Sequence, residues 1–222
     1  MGISFKQCHR SNYKAGRTNT IEYIVIHYTA NNGDTAANNA NYFANNANLE
    51  ASAHYFVDEN EIYQSVEEKD IAWHCGATVY KHPNCRNANS LGVELCSRKD
   101  ETGNYYFKAG TVTNAVELTK KLAKKYGIPI GNILRHYDVT GKNCPAPFVK
   151  SESAWEDFKN KIKENIDMSE VGNTPSEWAK EAVEKAVAKG IIKGDESGNL
   201  MLQNSVTREQ LMVFFNRLGL LD

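Results

Sequence analysis

Ile21-Glu22-Tyr23-Ile24-Val25-Ile26-His27-Tyr28 is the stretch on which the fold turns. A near-continuous apolar run of this length reads as a strand buried on both faces of a sheet, with helices covering each side. The flanking segments agree. Residues 34–47 carry a stripe of Ala36, Ala40, Phe43, Ala44 and Ala47, which predicts a helix with Asp34 as its N-cap. His54–Val57 and Glu61–Val66, joined by Asp58-Glu59-Asn60, read as a hairpin. Leu91–Cys96 is a further strand. Residues 112–126 form a second helix stopped by Gly127. Helix 153–166 opens on the capping box Ser153-Ala154-Trp155-Glu156. This order gives an α/β domain with a central mixed β-sheet flanked by helices.

Downstream, Arg135-His136-Tyr137-Asp138-Val139-Thr140-Gly141-Lys142-Asn143-Cys144-Pro145 concentrates an imidazole, an ammonium and a thiol on what reads as a loop. His136 and Cys144 are good ligands for a borderline-soft divalent metal, zinc being the common choice. Eight positions separate them, so no regular period aligns them. The chain must fold back, and Gly141 allows that reversal. Two ligands do not hold a catalytic metal. His27, near the end of the apolar strand, is the candidate third, and a two-histidine, one-cysteine set leaves one tetrahedral position for water. Read from residues alone, a lone histidine on a buried strand is more often a satisfied core residue than a ligand.

Residues 20–150 resemble the zinc-dependent type 2 N-acetylmuramoyl-L-alanine amidases, the group that includes peptidoglycan recognition proteins. The resemblance rests on Ile24–Thr29, Ser52–Val57, Ala72-Trp73-His74-Cys75-Gly76, Leu91–Leu95, and His136 with Lys142–Pro145. Five ordered blocks over about half the chain make the signal specific. It implies His27, His136 and Cys144 as Zn²⁺ ligands. It also implies that Glu94 is the general base that takes a proton from water and passes it to the leaving amine. Alternation along Leu91–Leu95 puts Gly92 and Glu94 on one face, where Gly92 leaves room for substrate; the plainer reading is a glutamate on a solvated face. Lys142 would stabilise the oxyanion, or is a solvated loop lysine. His74 resembles a groove residue that contacts substrate near the metal, and Trp73 offers a stacking face to a sugar. Some phage relatives carry a catalytic tyrosine just before the histidine matching His54. Ala53 stands there in this chain, which shifts proton transfer onto Glu94. His54 and Tyr55 read as core residues.

At 222 residues the chain has room for one medium domain and one small one. A net charge of −1 argues against nucleic acid as the main partner. Five cysteines cannot all pair and show no CxxC, so free thiols are the simpler reading, with a Cys75–Cys85 bridge as the alternative. Met1–Gln7 has no apolar core, so no secretory signal is expected, and no segment is long enough to span a membrane. The expectation is synthesis in the cytoplasm and action at the bacterial cell wall after release, as in a phage or prophage endolysin.

Residues 1–167 are thus expected to form the amidase domain, 168–173 a linker, and 174–222 a small helical domain. In the last, Thr174-Pro175-Ser176-Glu177 starts a helix ended by Gly190, and Thr207-Arg208-Glu209-Gln210 caps a second ended by Gly219. Trp178-Ala179, Gly190–Gly194 and Thr207–Glu209 resemble an S-layer homology repeat, which implies binding to a secondary wall polymer. Met201–Asn204 departs from the Phe-Pro usual there. A unit this small is marginal alone, so packing on the amidase domain or homo-oligomerisation is the rival role.

The leading expectation is hydrolysis of the amide between N-acetylmuramic acid and L-alanine in peptidoglycan. The alternative is a non-catalytic peptidoglycan-recognition module, against which Cys144 and Glu94 count. A zinc peptidase of another class lacks support, since no HExxH helix is present.

Overall fold

Ile24, Val25 and Ile26 are fully enclosed within a six-stranded sheet. The structure, a computed structural model, describes residues 2–163, 175, 177–194, 200, 202 and 206–221. The chain divides into two units, Met1–Asn165 and Ile166–Asp222.

In the first unit the strands are β1 (Ile3–Phe5), β2 (Tyr13–Lys14), β3 (Tyr23–Tyr28), β4 (Tyr55–Val57), β5 (Ile62–Gln64), β6 (Ile71–Ala72), β7 (Ser90–Leu95), β8 (Arg98–Lys99), β9 (Tyr105–Tyr106) and β10 (Ile133–Arg135). The main sheet runs β1-β5-β4-β7-β3-β10, and β2–β6 and β8–β9 are separate two-stranded ribbons. Only the β4–β5 hairpin pairing of the main sheet is antiparallel, so the sheet is mixed, as expected. Each fully buried Ile or Val contributes about 1.5–3 kcal/mol. Three of them in β3 outweigh the cost of about 1–3 kcal/mol for carrying one polar group, His27, into the interior beside them.

Helices cover both faces. Helix α1 (Ala36–Asn45) lays Ala36, Ala40 and Phe43 against Phe56 of β4. Helix α2 (Ala109–Tyr126) lies on the other face, where Tyr55 of β4 and Tyr126 of α2 both donate to Glu68. Two short helices follow, α3 (His136–Thr140) and α4 (Ala146–Lys150), and α5 (Glu152–Lys163) buries Trp155, Phe158 and Ile162.

Several local expectations shift. Thr35, not Asp34, caps α1: its hydroxyl accepts from Asn38 N, while Asp34 accepts from the Asn31 and Asn39 amides. Ser151, not Ser153, accepts from Ala154 N at the start of α5. Helix α2 begins one turn before the expected 112. The segment after β10, read as loop, starts as the helix α3.

In the second unit a 3₁₀ turn, Glu177–Ala179, precedes α6 (Lys180–Ala188), so the α-helix starts later than expected. Thr174 and the expected linker 168–173 lie outside the described residues. Helix α7 (Arg208–Arg217) carries the expected capping box, with Thr207 Oγ1 accepting from Gln210 N and Gln210 Oε1 accepting from Thr207 N. None of the described residues of this unit is fully buried, and Trp178 is 89% exposed. Among the described residues, no helix is long and apolar enough to cross a membrane.

Candidate metal centre

Strand register brings the site together. Parallel pairing of β3 with β7 sets His27 opposite Glu94 and Val25 opposite Gly92. Partners across a parallel ladder point to the same face, so His27 and Glu94 stand side by side. On the other edge of β3, Arg135 of β10 pairs with Ile26, and His136, the next residue, comes level with His27. The two imidazole centroids lie 4.6 Å apart.

Cys144 returns to the same point by a short reversal. Gly141 ends α3 with φ +84°, a conformation that a side chain disfavours. Tyr137 N then donates to Cys144 O at 2.8 Å, clamping the returning chain against the start of α3. Cys144 Sγ ends 3.7 Å from His27 Nδ1. Arg135 holds this corner: its guanidinium donates to both oxygens of Asp138 at 3.0 Å, to Glu152 Oε2 at 2.6 Å and to Phe148 O at 3.0 Å. Nothing in the sequence singled Arg135 out for this role, because its partners lie in three different helices, α3, α4 and α5.

One donor atom from each of His27, His136 and Cys144 falls within a mutual distance of 4.8 Å. All three residues are buried. Burial, with His74, His136 and Lys142 nearby, pushes the His27 imidazole well below its ordinary value, so it is neutral. Burial and Lys142 likewise lower His136 to about 4. Burial, reinforced by Glu94, raises the Cys144 thiol to about 12. Glu94 is raised to about 8 by burial, with Lys142 opposing and Asp34 adding to the shift. Its Oε2 is enclosed and has no hydrogen-bond partner. An enclosed carboxyl oxygen without a donor costs free energy, and two neutral imidazoles with a thiol form a donor set for a soft cation. The residues fit a zinc ion on both counts. A divalent cation at this point would reverse the pressure on the thiol and the carboxyl, favouring their ionised forms.

The remaining predicted residues line one groove of about 820 Å³. Lys142 is an exposed residue of its lining, and Trp73 is half-buried there along with Tyr42 and Phe43 of α1. His74 lines the groove but is only 9% exposed, because its ring is inserted behind His27, with His74 Nδ1 3.0 Å from His27 Nε2. Gly92 faces that ring: an added Cβ would lie 2.6 Å from His74 Cγ. The space left by the glycine therefore holds the histidine rather than substrate. A strand glycine marking close approach was the available signal, and its occupant was the part not legible. His54 is a core residue, accepting from Gly92 N at 3.0 Å, and Tyr55 is buried with its hydroxyl on Glu68. All five cysteines are buried free thiols, with Cys75 and Cys85 in one apolar cluster.

Comparison with known proteins identifies the family and the fold. Residues 17–147 match the N-acetylmuramoyl-L-alanine amidase family, and residues 170–212 match the S-layer homology domain. The chain is 36% identical over 166 residues to the N-acetylmuramoyl-L-alanine amidase CwlL of Bacillus licheniformis, covering 70% of this chain and 44% of that protein. It is 37% identical over 158 residues to the N-acetylmuramoyl-L-alanine amidase BlyA of Bacillus subtilis (strain 168), covering 64% and 41%. The chain thus spans less than half the length of these relatives. Among solved structures, the catalytic domain of XlyA superposes with a TM-score of 0.61 at 30% identity, covering 73% of this chain and 99% of that one. PlyL superposes with a TM-score of 0.61 at 32% identity, covering 73% and 97%. The chain belongs to the N-acetylmuramoyl-L-alanine amidase family.

Proposed function

We propose that this protein hydrolyses the amide between the lactyl group of N-acetylmuramic acid and L-alanine of the peptidoglycan stem peptide, with zinc as its cofactor. The observation that carries the proposal is the convergence of His27, His136 and Cys144 beside the unpartnered Oε2 of Glu94. His27, His136 and Cys144 would hold the ion, which when bound supplies Lewis acidity and a water acidified to a pKa of about 7.

The chain's own groups divide the remaining work. Glu94 stands beside His27 with one oxygen free of other donors, so it accepts a proton from the attacking water and returns it to the leaving nitrogen. Lys142, exposed in the groove lining, brings an ammonium to the carbonyl oxygen, which gains negative charge as its carbon becomes tetrahedral. Trp73 and His74 border the groove, where an extended glycopeptide can lie against apolar and polar walls alike. A recognition-only module gains nothing from a carboxyl with an unpartnered oxygen beside a metal-ligand set, so the enzyme is the reading retained.

The second unit serves the same substrate. Its match to the S-layer homology domain and its exposed apolar residues, Trp178 among them, support attachment to a secondary wall polymer. Hydrolysis by a chain held at the wall makes the protein a lytic enzyme of the endolysin or autolysin type. The test is elemental analysis of the purified full chain beside Cys144→Ser. One zinc per chain, lost in the variant together with muramyl-peptide hydrolysis, is expected; undiminished zinc and activity in the variant would remove Cys144 from the site.

A further inference from the structure

We infer that His74 and Ser90 are positioning residues that fix the tautomer and orientation of His27, presenting its Nδ1 to the metal. The inference rests on the zinc reading above for its purpose, but its geometry is independent of it. The argument follows protons from one end of a chain of contacts. Ser90 Oγ lies 2.6 Å from Arg86 O, a separation at which two oxygens need a proton between them, so the serine donates there. A hydroxyl has one proton. Ser90 Oγ therefore accepts from His74 Nε2, 3.1 Å away, and that nitrogen carries the His74 proton. With one proton on the ring, Nδ1 of His74 is an acceptor, and it faces His27 Nε2 at 3.0 Å. His27 carries its proton on Nε2 and keeps a lone pair on Nδ1, the nitrogen turned toward Cys144 Sγ at 3.7 Å.

Two further features serve this arrangement. Ser90 and Glu94 lie on the same face of β7, with Gly92 between them on that face. The absent Cβ of Gly92 is what admits the His74 ring. The main chain also pins the ring from behind, since His74 N donates to Asn87 Oδ1 at 3.1 Å. His27, His74 and Ser90 are buried, so no bulk water competes for these contacts. Each member has one donor and one acceptor assignment that satisfies all the others, and inverting any one leaves two lone pairs or two protons facing each other.

The test uses the full chain labelled with ¹⁵N-histidine, in metal-free and zinc-loaded forms, together with zinc affinity measured against a chromophoric chelator. The ring nitrogens of His27 should report a proton on Nε2 in both forms. His74→Leu should weaken zinc binding about 10–100-fold, the usual effect of removing the partner that orients a ligand. His74→Asn, which keeps an acceptor near the position of Nδ1, should recover most of that loss; a merely structural role would not separate the two variants. In Ser90→Ala, His74 should populate both tautomers. A proton on His27 Nδ1 in the metal-free chain would overturn the relay. Full zinc affinity in His74→Leu would overturn it too, leaving the zinc reading intact. Failure of the parent chain to bind zinc would instead contradict the zinc reading, and the metal-free spectrum would still decide the relay. Should His74→Leu fail to fold, the spectra of the parent chain and of Ser90→Ala decide it.

Discussion

His27 and Glu94 are direct partners across the β3–β7 ladder, so a metal-ligand candidate and a half-buried acid occupy the same level and face of the sheet. Neither can move without the other while the ladder holds. This rigidity predicts separable effects. Glu94→Ala should keep the fold and the zinc but lose about 10²–10⁴ in turnover, the range of a general acid–base group. Lys142→Ala should lose about 10²–10³ if it stabilises the oxyanion. Muramyl-peptide hydrolysis at saturating substrate reads both. A loss confined to KM would reassign either residue to binding.

Gly92→Ala tests the packing behind the site. Its Cβ would stand 2.6 Å from His74 Cγ and 2.9 Å from Cδ2 and Nδ1. Overpacking of this kind costs about 1–3 kcal/mol, so the thermal midpoint should fall and zinc should bind less tightly. The same substitution in a His74→Ala background should cost much less, because the obstructing ring is gone. Equal costs in both backgrounds would show that the clash is not the cause.

Much of this was legible in the sequence, for identifiable reasons. The buried run at Ile24–Ile26 specified a covered sheet, and the period of two along Leu91–Leu95 put Gly92 and Glu94 on one face. Capping residues defined α7, and Gly127 defined the end of α2. The three ligand candidates followed from their chemistry together with the amidase resemblance. The missing parts depend on tertiary register. Alternation states which residues share a face but not that His27 and Glu94 are level, which the β3–β7 pairing decides. Arg135 and Ser90 carry no local signature for these roles, since Phe148 and Glu152 reach Arg135, and His74 reaches Ser90, from remote positions in the chain. Thr35 outcompeted Asp34 as the α1 cap because Asp34 is held by Asn31, Asn39 and Arg98 instead.

Acid should weaken the first unit through Glu68. Burial alone raises this carboxyl, but hydrogen bonds from Lys125, Tyr126 and Tyr55 prevail and hold it below its ordinary value. A depressed folded value means the ionised group favours the fold. Its contribution is complete above the unfolded value of about 4.3 and is lost as pH falls through the lower folded value. Glu68→Gln should therefore be less stable than the parent at neutral pH, by about 1–3 kcal/mol, with the gap closing below about pH 4. A gap independent of pH in denaturant titrations would contradict this assignment.

The second unit contributes binding rather than chemistry in this account. A chain ending near Asn173 should hydrolyse a soluble muramyl peptide as well as the full chain does but act poorly on intact walls. Attachment to an insoluble polymer raises the local substrate concentration, an advantage absent in free solution. Sedimentation with purified walls checks it. Equal sedimentation of full and shortened chains would favour the rival role of packing or homo-oligomerisation.

Mass spectrometry of peptidoglycan digested by the zinc-loaded full chain tests the central claim most directly, because it identifies the bond that is cut. The account predicts stem peptides with a new free L-alanine amino terminus, together with glycan strands whose N-acetylmuramic acid keeps its lactyl carboxyl. Fragments cut within the peptide or between sugars, with the lactyl–alanine amide intact, would contradict it.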